Sequence, residues 1–188
     1  MPVISGKGLF EFSRSLLIAG GASDTEAKIV AESLVQSNLR GHDSHGVMRI
    51  PFYVGRIQEG ILKPGSTLKV EKETVSSLVC DGGWGFGQVL SRDLIERLIH
   101  KAADSGIACG TLRQSAHIGR LGEYAEMAAE KNMTSLICAN THGAAQRVAP
   151  VGGKRPRLGT NPICIGVPGG KAGPPTCRLM SDDRLQIS

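Results

Sequence analysis

The sequence predicts an α/β protein led by an all-helical segment, and three observations carry that prediction. The first 60 residues show helical apolar spacing and no strand-type run. From about residue 66, short apolar runs alternate with helical patterns. The bulk composition, 188 residues with 40% hydrophobic and 21% charged, is that of a globular chain and excludes collagen-like, low-complexity and disordered classes.

The elements follow in order. Ser23, Asp24, Thr25 and Glu26 form a capping box: the Ser23 hydroxyl can take a free backbone N–H, and Glu26 can reach back. Ile29, Val30, Leu34 and Val35 then recur at helical spacing as far as Gly41. A second helix is expected to start near Ser44 and end at Gly60, before a Pro/Gly break over residues 62–65. Residues 68–70 and 75–80 read as strands, and 81–87 as a glycine-rich turn. Val89, Leu90, Leu94, Ile95, Leu98, Ile99 and Ala102 mark an amphipathic helix. Residues 107–112 read as a strand, 119–131 as a helix and 135–138 as a short strand. A long Gly- and Pro-rich loop spans 140–161, and 163–167 is read as the last strand. No internal repeat is visible.

Composition also bounds the partners. The net charge is +5, but from Lys154 to Ser188 six Lys/Arg stand against two Asp/Glu, while the first 153 residues balance to +1. With one Trp, two Tyr and four Phe, and no basic face interleaved with aromatics, a nucleic-acid partner is not expected. No apolar run approaches the roughly 18 residues of a membrane helix, and Lys7, Glu11 and Arg14 break any secretory-signal core. No membrane partner and a cytoplasmic location are expected. Cys80, Cys109, Cys138, Cys164 and Cys177 contain no C-x-x-C pair. The first four, in or beside apolar runs, are expected to be buried free thiols. Clustered zinc ligands are missing, so no metal is expected.

Three stretches could carry chemistry. The first is His42-Asp43-Ser44-His45-Gly46 with Arg49 and Tyr53. On a helix starting near Ser44, His45, Arg49 and Tyr53 are four apart and share one face. That face would hold an acid/base, a guanidinium fork for a carboxylate and a phenol, a set suited to a small 2-oxo or 2-hydroxy acid. The plain alternative is a Ser44 helix cap with solvated His and Arg, and a third reading takes His42, Asp43 and His45 as metal ligands. The second stretch, Ser115-Ala-His117-Ile-Gly119-Arg-Leu121-Gly122, lies between a strand end and a helix start, where α/β proteins place ligand loops and where free N–H groups meet phosphates. It reads either as a ligand loop or as a capping turn with an exposed His. The third is the long loop, with Pro150-Val-Gly-Gly153 and Gly159-Thr-Asn-Pro162 around the cluster 154–157. Neither an ordinary dinucleotide fingerprint nor a P-loop is present: position 88 is Gln where the third glycine of G-x-G-x-x-G would stand, and no Ser/Thr follows Lys171.

Taken together and in order, 40–46, Arg49-Ile-Pro51, Tyr53, Asp81-Gly with Gly85 and Gly87-Gln88, 115–119, 149–153 and 158–162 resemble the malate/L-lactate dehydrogenase family. This is the NAD(P)-dependent family of non-Rossmann fold, distinct from the common lactate and malate dehydrogenases. Its relatives include ureidoglycolate and sulfolactate dehydrogenases and a cyclic-imine reductase. The resemblance implies hydride transfer between NAD or NADP and a small 2-hydroxy/2-oxo acid, or a related imine, in a homodimer. By position, His45 resembles a proton donor/acceptor with Ser44 as relay partner, and His117 the proton acceptor assigned in the ureidoglycolate branch. Arg49 resembles the carboxylate ligand, with Tyr53 on the substrate side. His117, Ile118, Gly119, Arg120 and Leu121 resemble a cofactor-contacting loop, with Gly159, Thr160 and Asn161 in the same cleft. The implied organisation is a helical domain over 1–65, the first part of a cofactor-binding domain over 66–116, a loop-rich α/β subdomain over 117–175 and a divergent tail over 176–188. Agreement stops near residue 175. There the family continues into an Asp-bearing segment that the tail does not match, so the family fold is expected to be incomplete at the C-terminus and Asp182 and Asp183 carry no role. The competing expectation is therefore a catalytically inactive remnant, or a dimerisation partner of a longer relative.

Overall fold

The computed structural model describes residues 3–141, 146, 148–170 and the backbone of 176–180. Two compact units are present, 1–120 and 121–188.

The first unit opens with α1 (Gly6–Ala19), whose free N-terminal amide at Gly8 donates to the Ser5 hydroxyl at 3.1 Å. The expected capping box starts α2 (Asp24–Leu39): Glu26 N donates to Ser23 Oγ and Ser23 N to Glu26 Oε2. Glu26 is buried because its second oxygen also accepts the Gly65 amide at 2.7 Å, which ties the chain ahead of the first strand to this helix start. Ala27, Val30, Ala31 and Leu34 are fully buried along α2. They pack with Leu17, Ile50, Tyr53 and Phe86 in one apolar core.

The helix expected from Ser44 forms differently. Residues Asp43–His45 and Val47–Arg49 make two short 3-10 turns, and α3 runs only over Ile50–Gln58. Pro51 is the reason. In a helix begun at Ser44 it would sit in the interior, lacking an N–H and clashing with the carbonyl four residues back. At the start of α3 it costs nothing.

β1 (Lys69–Glu73) pairs antiparallel with β2 (Ser77–Asp81), with a bulge between Val70 and Lys72. β2 pairs parallel with β3 (Cys109–Arg113). The parallel connection is α4 (Gly87–Ser105), which ends on Gly106 in the left-handed conformation. Leu90 and Leu94 of α4 cover Leu78 and Cys80 of β2. All three strands sit one to three residues from the sequence expectation.

The second unit contains α5 (Leu121–Glu130) and a sheet ordered β4 (Ser135–Cys138), β5 (Ile163–Val167), β6 (Thr176–Met180), antiparallel throughout. A side chain at Gly166 would strike Ala125 Cβ and Ser135 Oγ, both at 2.8 Å, so glycine lets α5 lie close on β5. β6 corrects the expectation that 163–167 is the last strand. Pairing with β5, rather than its own propensity, specifies it. The tail residues beyond it, including Asp182 and Asp183, lie outside the described residues, as do 142–145, 147 and 171–175 of the loop region.

The cysteine expectation holds in part. Cys80 and Cys164 are buried and free, whereas Cys109 and Cys138 are exposed. Strand alternation is the cause: each exposed thiol falls on the outward phase of its strand. Among the described residues, no group of three or more His, Cys, Asp or Glu could hold a metal ion, and no helix is long and apolar enough to cross a membrane. Asp43, one of the three residues in the metal reading, is held instead by the Asn38 amide at 2.5 Å.

Candidate functional site

The residues expected to carry chemistry in the first unit converge, but not along one helix face. Ser44 and His45 come from the first 3-10 turn, Arg49 from the second and Tyr53 from α3. His117 arrives from the loop after β3, 64 residues from Tyr53 in sequence, and its Nδ1 lies 2.8 Å from Tyr53 Oη. The His45 and His117 rings stand 5.3 Å apart between centroids.

Each part has an identifiable support. Asn38, at the end of α2, holds the 3-10 segment: its amide nitrogen donates to Asp43 and its oxygen accepts the Val47 amide at 2.9 Å. Gly46 is packed so tightly on Asn38 that a Cβ would overlap its side-chain amide. Within the segment, Ser44 Oγ lies 2.9 Å from His45 Nδ1, and the Arg49 Nε–H donates to the Ser44 carbonyl at 2.6 Å. Ser44 therefore orients both neighbours at once.

The glycine-rich turn 81–87 supports the other side. Gly82 N donates to Arg113 O at 2.9 Å, Trp84 N to Gln114 O at 2.6 Å, and Ala116 N to Gly85 O at 3.1 Å. A Cβ on Gly87 would lie 2.5 Å from the His117 carbonyl oxygen. The glycines thus let the turn press against the His117 loop, backbone to backbone. Behind Tyr53 stands Gln88, fully buried at the start of α4. Its Nε2 donates to Tyr53 Oη at 2.8 Å. Tyr53 itself is 1% exposed and meets Phe86 edge-on. Its hydroxyl faces His117 and Gln88, so it acts through the imidazole.

The electrostatics follow from this packing. Burial, then the neighbouring His45 and Arg49, push His117 down to about 3. Burial, then Arg49, His42 and Arg120, also hold His45 below its ordinary value. Both imidazoles are consequently neutral at pH 7, beside a guanidinium with no carboxylate among the groups that set them. Such a corner attracts an anion, and an anion would raise both imidazole pKa values.

Ile118, Gly119 and Arg120 complete the first unit's loop. Gly119 takes φ 74, and its N–H donates to His117 Nδ1 at 3.3 Å. Leu121 is the first residue of α5 in the second unit. Gly159, Thr160 and Asn161 lie there too, just before β5, with Gly159 packed on Thr141. The Lys154–Arg157 cluster is exposed.

Sequence reasoning missed Asn38 and assigned no role to Gln88. The capping end of α2 beside a Gly-flanked His segment was the available hint for Asn38. For Gln88 the hint was a polar residue at an otherwise apolar helix start.

Residues 4–178 match the family described as malate/L-lactate dehydrogenase. The malate/(S)-sulfolactate dehydrogenase of Methanothermus fervidus is 40% identical over 162 residues, covering 84% of this chain and 47% of the relative. Hydroxycarboxylate dehydrogenase B of Escherichia coli is 38% identical over 160 residues, covering 85% and 44%. The solved structure of malate dehydrogenase from Pyrococcus horikoshii superposes with a TM-score of 0.88 at 37% identity, covering 95% of this chain and 50% of that one. The chain spans about half the length of the curated relatives it matches. On the strength of the match over 4–178 and the shared fold, the chain belongs to the malate/L-lactate dehydrogenase family.

Proposed function

We propose that this chain contributes the substrate-carboxylate and proton-transfer side of a hydroxy-acid dehydrogenase site. The observation that carries the reading is the meeting of His45, His117 and Arg49 in one corner, with both imidazoles held neutral. Malate, (S)-sulfolactate and L-lactate, which name the relatives' activities, are all 2-hydroxy acids. Arg49 would bind the common carboxylate. His45, oriented by Ser44, and His117, oriented by Tyr53, stand ready to hold or move the proton of the 2-hydroxyl group.

When bound, NAD or NADP supplies or takes the hydride. The described residues fit such a cofactor in kind. Glycine at 119 lets the 117–120 backbone turn at φ 74 and press on Gln88 and Ser33, where a Cβ would come within 3.3 Å, and the neighbouring imidazoles are neutral. His117, Ile118, Gly119, Arg120 and Leu121 are proposed to contact the cofactor, with Gly159, Thr160 and Asn161. The division into a helical 1–65, a first cofactor-domain part over 66–116 and a loop-rich 117–175 belongs to the same proposal, as does a homodimeric assembly.

The test is oxidation of NADH and NADPH at 340 nm with a panel of 2-oxo acids and cyclic imines. Turnover that is lost in both His45→Ala and His117→Ala is the expected result. A well-folded preparation that turns over none of the panel would overturn the reading.

A further inference from the structure

We propose that Gln88 is a positioning residue: acting through Tyr53, it fixes His117 in the tautomer that carries its proton on Nε2. This inference deepens the reading above and rests on it for its catalytic meaning, though the tautomer itself does not.

Three hydrogen bonds decide the direction of the chain. The Gly119 backbone N–H points at His117 Nδ1 at 3.3 Å, and a backbone amide can only donate. That long contact favours Nδ1 as an acceptor without holding it there, and with Nδ1 accepting, the proton of a neutral imidazole resides on Nε2. Tyr53 Oη, 2.8 Å from the same Nδ1, must donate to it. That leaves the phenolic oxygen as an acceptor, and the Gln88 amide fills it, Nε2 to Oη at 2.8 Å. The opposite arrangement, with Gln88 Oε1 toward Tyr53 and Nδ1–H toward the phenol, would set two hydrogens facing each other at Nδ1.

A second observation favours a selected role for Gln88. The side chain is fully buried, yet its Oε1 has no hydrogen-bond partner among the described residues. A buried unpaired acceptor is destabilising. An apolar residue would avoid that cost but could not orient the phenol.

The consequence is chemical. His117 offers a ligand an N–H donor, not a base, when a 2-oxo acid is bound. In the reducing direction the carbonyl oxygen gains its electron pair as hydride adds to the adjacent carbon. The His117 Nε2–H donates a hydrogen bond to that oxygen and supports the charge it gains. The proton that completes the hydroxyl is drawn from solvent, and Tyr53, held by the Gln88 amide, keeps Nδ1 an acceptor throughout.

The test is the ring-nitrogen spectrum of the full chain labelled with 15N-histidine at pH 7, with His117 identified by its loss in His117→Gln. We expect Nδ1 in the unprotonated range and Nε2 in the protonated range. In Gln88→Met, and separately in Tyr53→Phe, the two nitrogens should move toward averaging while the His45 signals hold. Nδ1 found protonated in the unsubstituted chain would overturn the proposal, and that measurement needs no variant to fold. So would an unchanged His117 pattern in a folded Gln88→Met. Because the spectrum is read without turnover, a correct tautomer in a chain that oxidises neither NADH nor NADPH would sink the functional reading alone.

Discussion

Lowering the pH from 7 to 5 should destabilise the first unit through His117. In the native chain this imidazole resists protonation down to about 3, because burial, His45 and Arg49 all oppose the charge. In the unfolded chain it takes its proton near pH 6.5. Between those values the unfolded state binds more protons, so stability is fully present above about 6.5 and falls as pH falls toward 3. Over pH 7 to 5 the loss amounts to about 2 kcal/mol for this one group, at 1.36 kcal/mol per unit. His45, shifted in the same direction, adds to it. The comparison that isolates His117 is His117→Gln, which keeps an acceptor for Tyr53 and Gly119. Urea unfolding followed by fluorescence of Trp84, the single tryptophan and a part of the turn beside the His117 loop, reports this unit. The unsubstituted chain should lose about 2 kcal/mol more than His117→Gln between pH 7 and 5. Equal losses in the two proteins would refute the buried, neutral imidazole.

Gly87→Ala should cost about 1–3 kcal/mol, since its Cβ meets the His117 backbone and something must shift. It should also displace His117, read as a change in that residue's ring resonances. Asn38→Ala removes the donor to Asp43 and the acceptor for the Val47 amide. A loss of about 1–2 kcal/mol in the same urea assay is expected, together with faster exchange of the Val47 amide. With a thiol reagent under native conditions, Cys109 and Cys138 should react at once, while Cys80 and Cys164 should react only on unfolding. Burial also raises the Cys80 thiol, which slows it further. Prompt native labelling of Cys80 would show that the β2–α4 core is not closed.

Local signals in the sequence were the dependable ones. The Ser23–Glu26 capping box and the Leu90/Leu94 stripe of α4 are set by residues three to four apart, and both stand in the structure as read. The edges of β1, β2 and β3 slid by one to three residues because pairing partners, not propensity, decide where a ladder ends, whereas β4 and β5 stand as read. The helix expected from Ser44 fell to one residue, Pro51, whose place in the spacing outweighed the His–Arg–Tyr periodicity. Strand phase undid the expectation for Cys109 and Cys138, since an apolar neighbourhood in sequence says little about which face a residue takes.

The candidate site shows the same division. Its residue types were legible, through family motifs in the right order. How the site is held was not. Gln88 reaches Tyr53 across 35 residues, and Tyr53 reaches His117 across 64. Only folding brings a buried amide, a phenol and an imidazole into line. The glycines of 81–87 were visible, but their purpose, admitting the His117 backbone, depends on a partner that no spacing within the turn reveals.

The most direct test of the account is the response of His45 and His117 to a 2-hydroxy acid. Titrating L-malate or L-lactate into the 15N-histidine-labelled chain should move both residues' ring resonances saturably and raise both pKa values. Both effects should be lost in Arg49→Ala. Resonances that stay fixed under saturating acid, or that move equally in Arg49→Ala, would contradict the claim that these three residues form one carboxylate and proton-transfer site.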